Sequence, residues 1–205
     1  MKNDYDKKVM DEINRYYDKR KYDIRQRLAE FKHNNDLFYE LCFCILTPQS
    51  NAKKCYEAVN ILKKKDFIKK DFDTKSILHA RTRFYKNKSK YLKLAKNNFD
   101  EIKKNMNADG FKTREHLAKN VKGLGYKEAS HYLRNMGYKD LAILDRHILR
   151  NLHRLDVIKE MPRTLTKNKY IEIENEFKKF SNKIKIPMDE LDLLFWSLET
   201  GEVFR

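Results

Sequence analysis

Apolar side chains recur along this chain at spacings of three and four residues and almost nowhere alternate with polar ones. That period is helical, because positions i, i+3, i+4 and i+7 share one face of a 3.6-residue turn. Val9, Ile13, Tyr16, Tyr17, Ile24 and Leu28 predict a charged amphipathic helix over 5–31, read as a cover over the core. Leu37, Phe38, Leu41, Cys42, Ile45 and Leu46 make a stripe two residues wide, which predicts a buried helix stopped by Pro48. A further helix starts near Ala52, and Tyr91, Leu92, Ala95, Phe99 and Ile102 read as another. Leu117, Ala118 and Val121 end one more, and Ala129, Tyr132, Leu133 and Met136 place the next from near Tyr126 to Gly137. Ile148, Leu149 and Leu152 form a short stripe, and Tyr170, Ile173, Phe177 and Phe180 a longer one. After Pro187 comes a run apolar nearly all round (Leu191, Leu193, Leu194, Phe195, Trp196, Leu198), which predicts a buried last helix. With five glycines and three prolines breakers are scarce, and the fold class expected is all-α.

One break is unusual. Lys122-Gly123-Leu124-Gly125 joins two of these helices and holds the only G-x-G of the chain. Glycine permits positive φ and leaves no Cβ in the way, so backbone N–H groups there can approach a phosphate. The helix that follows lacks Ser, Thr, Asp or Asn at its start, which leaves its first N–H groups open to an outside acceptor. Two residues on, Lys127 puts a cation in the first turn, at a cost of about 0.3–1 kcal/mol against the helix dipole. Two readings stand open: a solvated lysine among the 46 Lys and Arg of the chain, or a functional amine. Asp145 is equally double. It precedes the stripe of Ile148, Leu149 and Leu152 as an N-cap would, and it follows the apolar run Leu141-Ala142-Ile143-Leu144. A carboxylate so placed can cap with one oxygen and face a ligand with the other.

The formal charge of +16 over 205 residues points to a polyanionic partner, and aromatics at 12% favour nucleic acid. No apolar run is long enough to span a bilayer, and the first residues hold no signal-peptide core, so an intracellular place and no membrane partner are expected. Cys42, Cys44 and Cys55 are odd in number and sit in or near helical stripes; they read as reduced core thiols. His131, His147 and His153 lack a metal-ligand partner set and read as surface or phosphate contacts; no metal is expected.

Gly-Leu-Gly-Tyr-Lys at 123–127, followed 18 positions after the lysine by Leu-Asp-Arg-His at 144–147, resembles the helix-hairpin-helix DNA glycosylase superfamily. Leu-Thr-Pro-Gln-Ser-Asn at 46–51, Arg-Phe-Tyr-Lys-Asn-Lys at 83–88 and a last helix with Trp196 ending shortly before Arg205 resemble its compact archaeal-type 8-oxoguanine DNA glycosylase/AP lyases. The resemblance implies two helical lobes with a cleft between them, one built from about 1–35 and 145–205 and a hairpin lobe from about 36–144. It implies that Lys127 is a nucleophile and Asp145 its partner, on double-stranded DNA containing oxidised guanine, in a monomer that nicks the abasic strand. Lys122, Gly123, Leu124, Gly125 and His147 would grip DNA, with Arg83, Phe84 and Lys88 beside them. Gln49 would fill the gap left by an extruded base or bond to that base; the bland reading is that it satisfies backbone groups at a helix end. Phe84 is either a wedge against the orphaned cytosine or core, and Lys88 either a phosphate contact or part of a solvated face. Trp196 would stack on the purine and the Arg205 carboxylate would read its N7–H, unless Trp196 is plain core. Several relatives carry an iron–sulfur cluster on four C-terminal cysteines; no cysteine follows Cys55, so no cluster and no other cofactor is expected. The resemblance allows a monovalent cation on the hairpin carbonyls. Two rivals remain: a glycosylase/lyase for oxidised pyrimidines with the same Lys127 and Asp145, and a non-catalytic helix-hairpin-helix DNA-binding protein.

Overall fold

The computed structural model describes residues 2–204, with the side chains of 10–204, and Arg205 lies outside that range. Among the described residues every regular element is a helix. In order they are α1 (Lys2–Lys32), α2 (Leu37–Leu46), α3 (Ala52–Lys64), α4 (Lys75–His79), α5 (Tyr85–Asn97), α6 (Phe99–Lys104), α7 (Gly110–Asn120), α8 (Tyr126–Asn135), α9 (Arg146–Arg154), α10 (Lys167–Ile184) and α11 (Met188–Thr200). Side-chain caps start many of them: Asp36, Asn51, Asp109, Asp145 and Thr166 each accept from a backbone N–H of the first turn. The pattern expected one helix over Tyr91–Ile102. Asn98, at φ −105 and ψ 13, instead separates α5 from α6.

The chain forms two compact units, residues 34–136 and residues 1–33 with 137–205. In the first, α2 is buried from Phe38 to Leu46, as its wide stripe requires. Phe38 meets Phe99 edge-on at 5.0 Å, and Phe43 meets His131 of α8 edge-on at 5.7 Å. His131 is therefore a core residue and not the surface contact expected from sequence. The three thiols are buried and unpaired with one another, and burial pushes those of Cys42 and Cys55 upward in pKa. A buried polar knot sits beneath: Glu40 accepts from Asn34 at 3.0 Å and from Asn135 at 2.7 Å.

In the second unit α11 is buried on nearly all sides, with Phe195 stacked at 6.1 Å on Phe177 of α10. Tyr17 and Arg25 of α1 both donate to the Glu190 carboxylate at the head of α11. Residues 137–144, expected in the hairpin lobe, pack with this unit instead. The Ala142 N–H donates to Glu174 at 2.8 Å, and Tyr170 donates to the Ala142 carbonyl at 2.6 Å, so two α10 side chains hold this helix-free stretch. No described helix is long and apolar enough to cross a membrane.

The chain passes from α8 into this stretch at Gly137, whose φ of +84° is the left-handed turn that ends many helices. A Cβ there would lie 2.9 Å from the Lys32 backbone, which has no flexible end to give way. Gly137→Ala is expected to cost about 2 kcal/mol or more and lower the thermal midpoint by roughly 4–8 °C, read by circular dichroism.

Candidate DNA-facing catalytic site

The hairpin belongs to the first unit. Asp109 starts α7, Val121 ends it, and Gly125 opens α8. Arg114 of α7 lies over the Tyr126 ring at 5.1 Å and donates to Ser130 of α8 at 3.3 Å, while the Tyr126 hydroxyl donates to Glu115 at 2.8 Å. These contacts clamp the two helices around the turn. Gly123 has φ +95, and a Cβ on it would come within 2.8 Å of the Tyr91 ring, so both conformation and space call for glycine. Leu124 departs from expectation. Its side chain is buried and its N–H donates to Val121 at 3.2 Å, so it anchors the turn and offers DNA no donor. Lys122 and Gly125 are exposed, Gly123 half so.

No side chain caps α8, as expected, yet the turn is not left wholly open. Glu128 reaches back so that its Oε2 accepts from the Gly125 N–H at 3.3 Å. Its other oxygen lies 3.1 Å from Lys127 Nζ. Lys127, a quarter exposed, is therefore held by a carboxylate of its own turn and does not trail in solvent. Sequence reasoning missed Glu128. The signal was there, since an acid three residues after a helix-opening glycine is half of a capping box.

Two other turns of this unit carry residues singled out from sequence. Gln49 is exposed at φ 54, and its side chain makes no hydrogen bond among the described residues. It does not satisfy the backbone of the α2 end. Phe84 is 52% exposed at φ 57 and is not core; the Arg83 guanidinium lies 5.2 Å over its ring. Left-handed backbone at a residue with a Cβ costs on the order of 1–3 kcal/mol, so the surroundings must enforce both turns. Beneath both turns lies Lys88, only 4% exposed and neither a phosphate contact nor a solvated face. Its Nζ donates to the carbonyls of Leu46 and Pro48, both at 2.7 Å, to Thr82 Oγ1 at 2.8 Å and to Ser50 Oγ at 2.9 Å. Burial draws its pKa down to about 8.

The second unit supplies Asp145. Its Oδ1 accepts from the Ile148 N–H at 2.8 Å, capping α9, and Oδ2 takes no hydrogen bond among the described residues. Leu141, Ala142, Ile143 and Leu144 before it are all buried, so the carboxyl stands on a fixed base. His147 Nδ1 lies 3.6 Å from Glu199 at the end of α11. Trp196 is half-buried, 6.2 Å from Phe204, and Arg205 lies outside the described residues. No three His, Cys, Asp or Glu side chains gather to hold a metal among the described residues.

Comparison with known proteins agrees with this geometry. The family model described as 8-oxoguanine DNA glycosylase matches residues 7–186. An 8-oxoguanine DNA glycosylase/AP lyase of Fusobacterium nucleatum is 43% identical, over all of this chain and 99% of that protein. One of Methanocaldococcus jannaschii is 39% identical, over 89% of this chain and 91% of that protein. Among solved structures, the 8-oxoguanine DNA glycosylase of Thermotoga maritima superposes with a TM-score of 0.89 at 31% identity, covering 98% of this chain and all of that one. The M. jannaschii 8-oxoguanine glycosylase/lyase in complex with a 15mer DNA containing 8-oxoguanine gives 0.85 at 37% identity, over 96% and 99%. A Gly-Leu-Gly hairpin bearing Lys127, a carboxylate capping α9 and matches of this length together place the chain in the helix-hairpin-helix family of 8-oxoguanine DNA glycosylases.

Proposed function

We propose that this protein removes 8-oxoguanine from double-stranded DNA and then nicks the abasic strand, acting inside the cell as a monomer. The observation that carries the reading is Lys127, fixed in the first turn of α8 behind a glycine turn and 3.1 Å from Glu128. The family resemblance and the relatives named glycosylase/AP lyase support it.

Exposed Lys122 and the half-exposed Gly123 backbone meet phosphates without reading sequence. The damaged nucleotide leaves the stack at a cost of a few kcal/mol. Attack needs the amine lone pair, so the ammonium proton must go first, and Glu128 is the base within reach. Nζ then bonds to the sugar C1′ while the C1′–N9 bond breaks, and the electron pair leaves with the base, which takes up a proton. Opening of the sugar ring gives an iminium, which acidifies the C2′ proton. Loss of that proton expels the 3′ phosphate and cuts the strand. Only an amine offers this electron sink. Asp145 stabilises the positive charge that develops on the sugar. A carboxylate about 4 Å from that charge contributes roughly 4 kcal/mol at an effective dielectric near 20, about a thousandfold in rate. Lys127, Glu128 and Asp145 supply the groups these steps use.

Nicking of duplexes that carry 8-oxoguanine or an oxidised pyrimidine tests the substrate, with faster cutting at 8-oxoguanine expected and the reverse order overturning it. In the same assay Lys127→Gln is expected to abolish cutting while duplex binding persists. Asp145→Asn keeps an N-cap and hence the thermal midpoint, and single-turnover excision is expected to fall about a thousandfold with duplex affinity within a few-fold of wild type. Equal loss of both would reduce Asp145 to a cap. Gly123→Ala is expected to weaken binding to any duplex, measured by fluorescence anisotropy, with little loss of helix signal.

A further inference from the structure

Burying a lysine among backbone carbonyls is an expensive way to finish two helix ends. The side-chain caps of α2, α3, α7 and α10 sit at helix starts and accept from N–H groups, whereas Lys88 donates to carbonyls beyond a helix end and must be buried to do so. The acceptors around Lys88 come from two separate turns. Leu46, Pro48 and Ser50 belong to the turn that carries Gln49, and Thr82 to the turn that carries Phe84. The turns also meet directly: Ser50 Oγ lies 2.9 Å from Thr82 Oγ1 and accepts from the Arg83 N–H at 3.0 Å. Thr82 Oγ1 donates onward to the Leu46 carbonyl at 3.0 Å. At the outer tip of each turn stands one exposed residue in the left-handed region, Gln49 and Phe84.

We propose that Lys88 is a positioning residue, a buried cation that welds these two turns into one rigid tool, so that Gln49 and Phe84 enter the duplex together when a base is extruded. The inference rests on the base-excision reading above. A cation suits the task because its hydrogen bonds are charge-assisted and about twice as strong as neutral ones. The three N–H groups of one ammonium are shared among acceptors of both turns. A neutral amine keeps two N–H groups, and methionine none. Either change loosens one turn from the other and leaves carbonyls without donors.

The groups that face Lys88 electrostatically are the Cys55 thiol, Glu128, Lys127 and Arg83, and burial outweighs them all in drawing its pKa to about 8. The sign of the consequence separates the proposal from plain destabilisation. With the folded pKa below the ordinary value of 10.5, the folded chain binds fewer protons than the unfolded one across the interval, so this group makes stability rise with pH there. Discharging Lys88 loosens the turns without unfolding the protein.

The test uses a duplex with a tetrahydrofuran abasic analogue opposite 2-aminopurine, whose fluorescence reports unstacking when side chains enter the gap. With wild type at saturating protein, the fluorescence change is expected to fall between pH 7 and 9 with a midpoint near 8 while the thermal midpoint does not drop. Lys88→Met is expected to lose most of that change at pH 7 and to slow 8-oxoguanine excision tenfold or more. It should nick a ready-made abasic site at no less than a third of the wild-type rate. Ser50→Ala, which removes one shared acceptor and leaves the lysine, should do the same more weakly and stands in if Lys88→Met does not fold. A fluorescence change flat in pH, or excision and nicking falling in equal proportion, overturns the proposal. A wild type that cuts neither substrate sinks the base-excision reading itself, whereas one that cuts both with a pH-independent signal sinks this inference alone.

Discussion

Where the helices of this chain break, backbone groups lose their helical partners and something other than the next turn must answer them. An unanswered buried group costs about 1–3 kcal/mol, a large share of any domain's margin. The chain answers with side chains, and those side chains are largely the ones that define the candidate site. Lys88 answers the carbonyls at the end of α2, Glu128 the Gly125 N–H, Asp145 the Ile148 N–H, and Glu174 and Tyr170 the Ala142 peptide. At Glu128 and Asp145 structure and chemistry are coupled, because one oxygen of each is committed to the backbone. Glu128 divides its two oxygens between Gly125 and Lys127, and Asp145 keeps Oδ2 uncommitted.

The same economy explains where charge sits. Most of the cations of this chain are on its surface, where they supply long-range attraction to a polyanion and little else. Lys127 and Lys88 are withdrawn from water to different degrees and for different ends. One is an amine held within reach of a carboxylate. The other is a fastener beneath turns whose backbone is strained at Gln49 and Phe84. Strain of that kind persists only when its surroundings leave no cheaper conformation, and a network of hydrogen bonds from one ammonium supplies that insistence.

Much of the architecture was legible because it is local. The two-residue-wide stripe of α2, the all-round apolarity of α11 and the glycines of the hairpin are statements about neighbouring residues. So was the double role of Asp145, since a cap and the end of an apolar run are both read within a few positions. What escaped depends on distant parts of the chain. Lys88 in a run of lysines and arginines looks solvated, and nothing local says that Leu46, Pro48 and Ser50, some forty residues earlier, will close over it. His131 looked like a surface or phosphate contact until Phe43 covered it, and Leu124 looked like part of a phosphate grip until its side chain turned inward. Residues 137–144 went to the wrong unit because their partners, Tyr170 and Glu174, lie on a helix about thirty residues away.

Which nitrogen meets the sugar decides the function proposed for this chain. Borohydride added during turnover on an 8-oxoguanine duplex would freeze the iminium as a stable amine, and mass spectrometry of the proteolysed adduct would locate it. The expected result is one DNA-linked residue, Lys127, in the peptide that opens α8. Linkage at the N-terminal amine or at another lysine, or no linkage during active cutting, would contradict it.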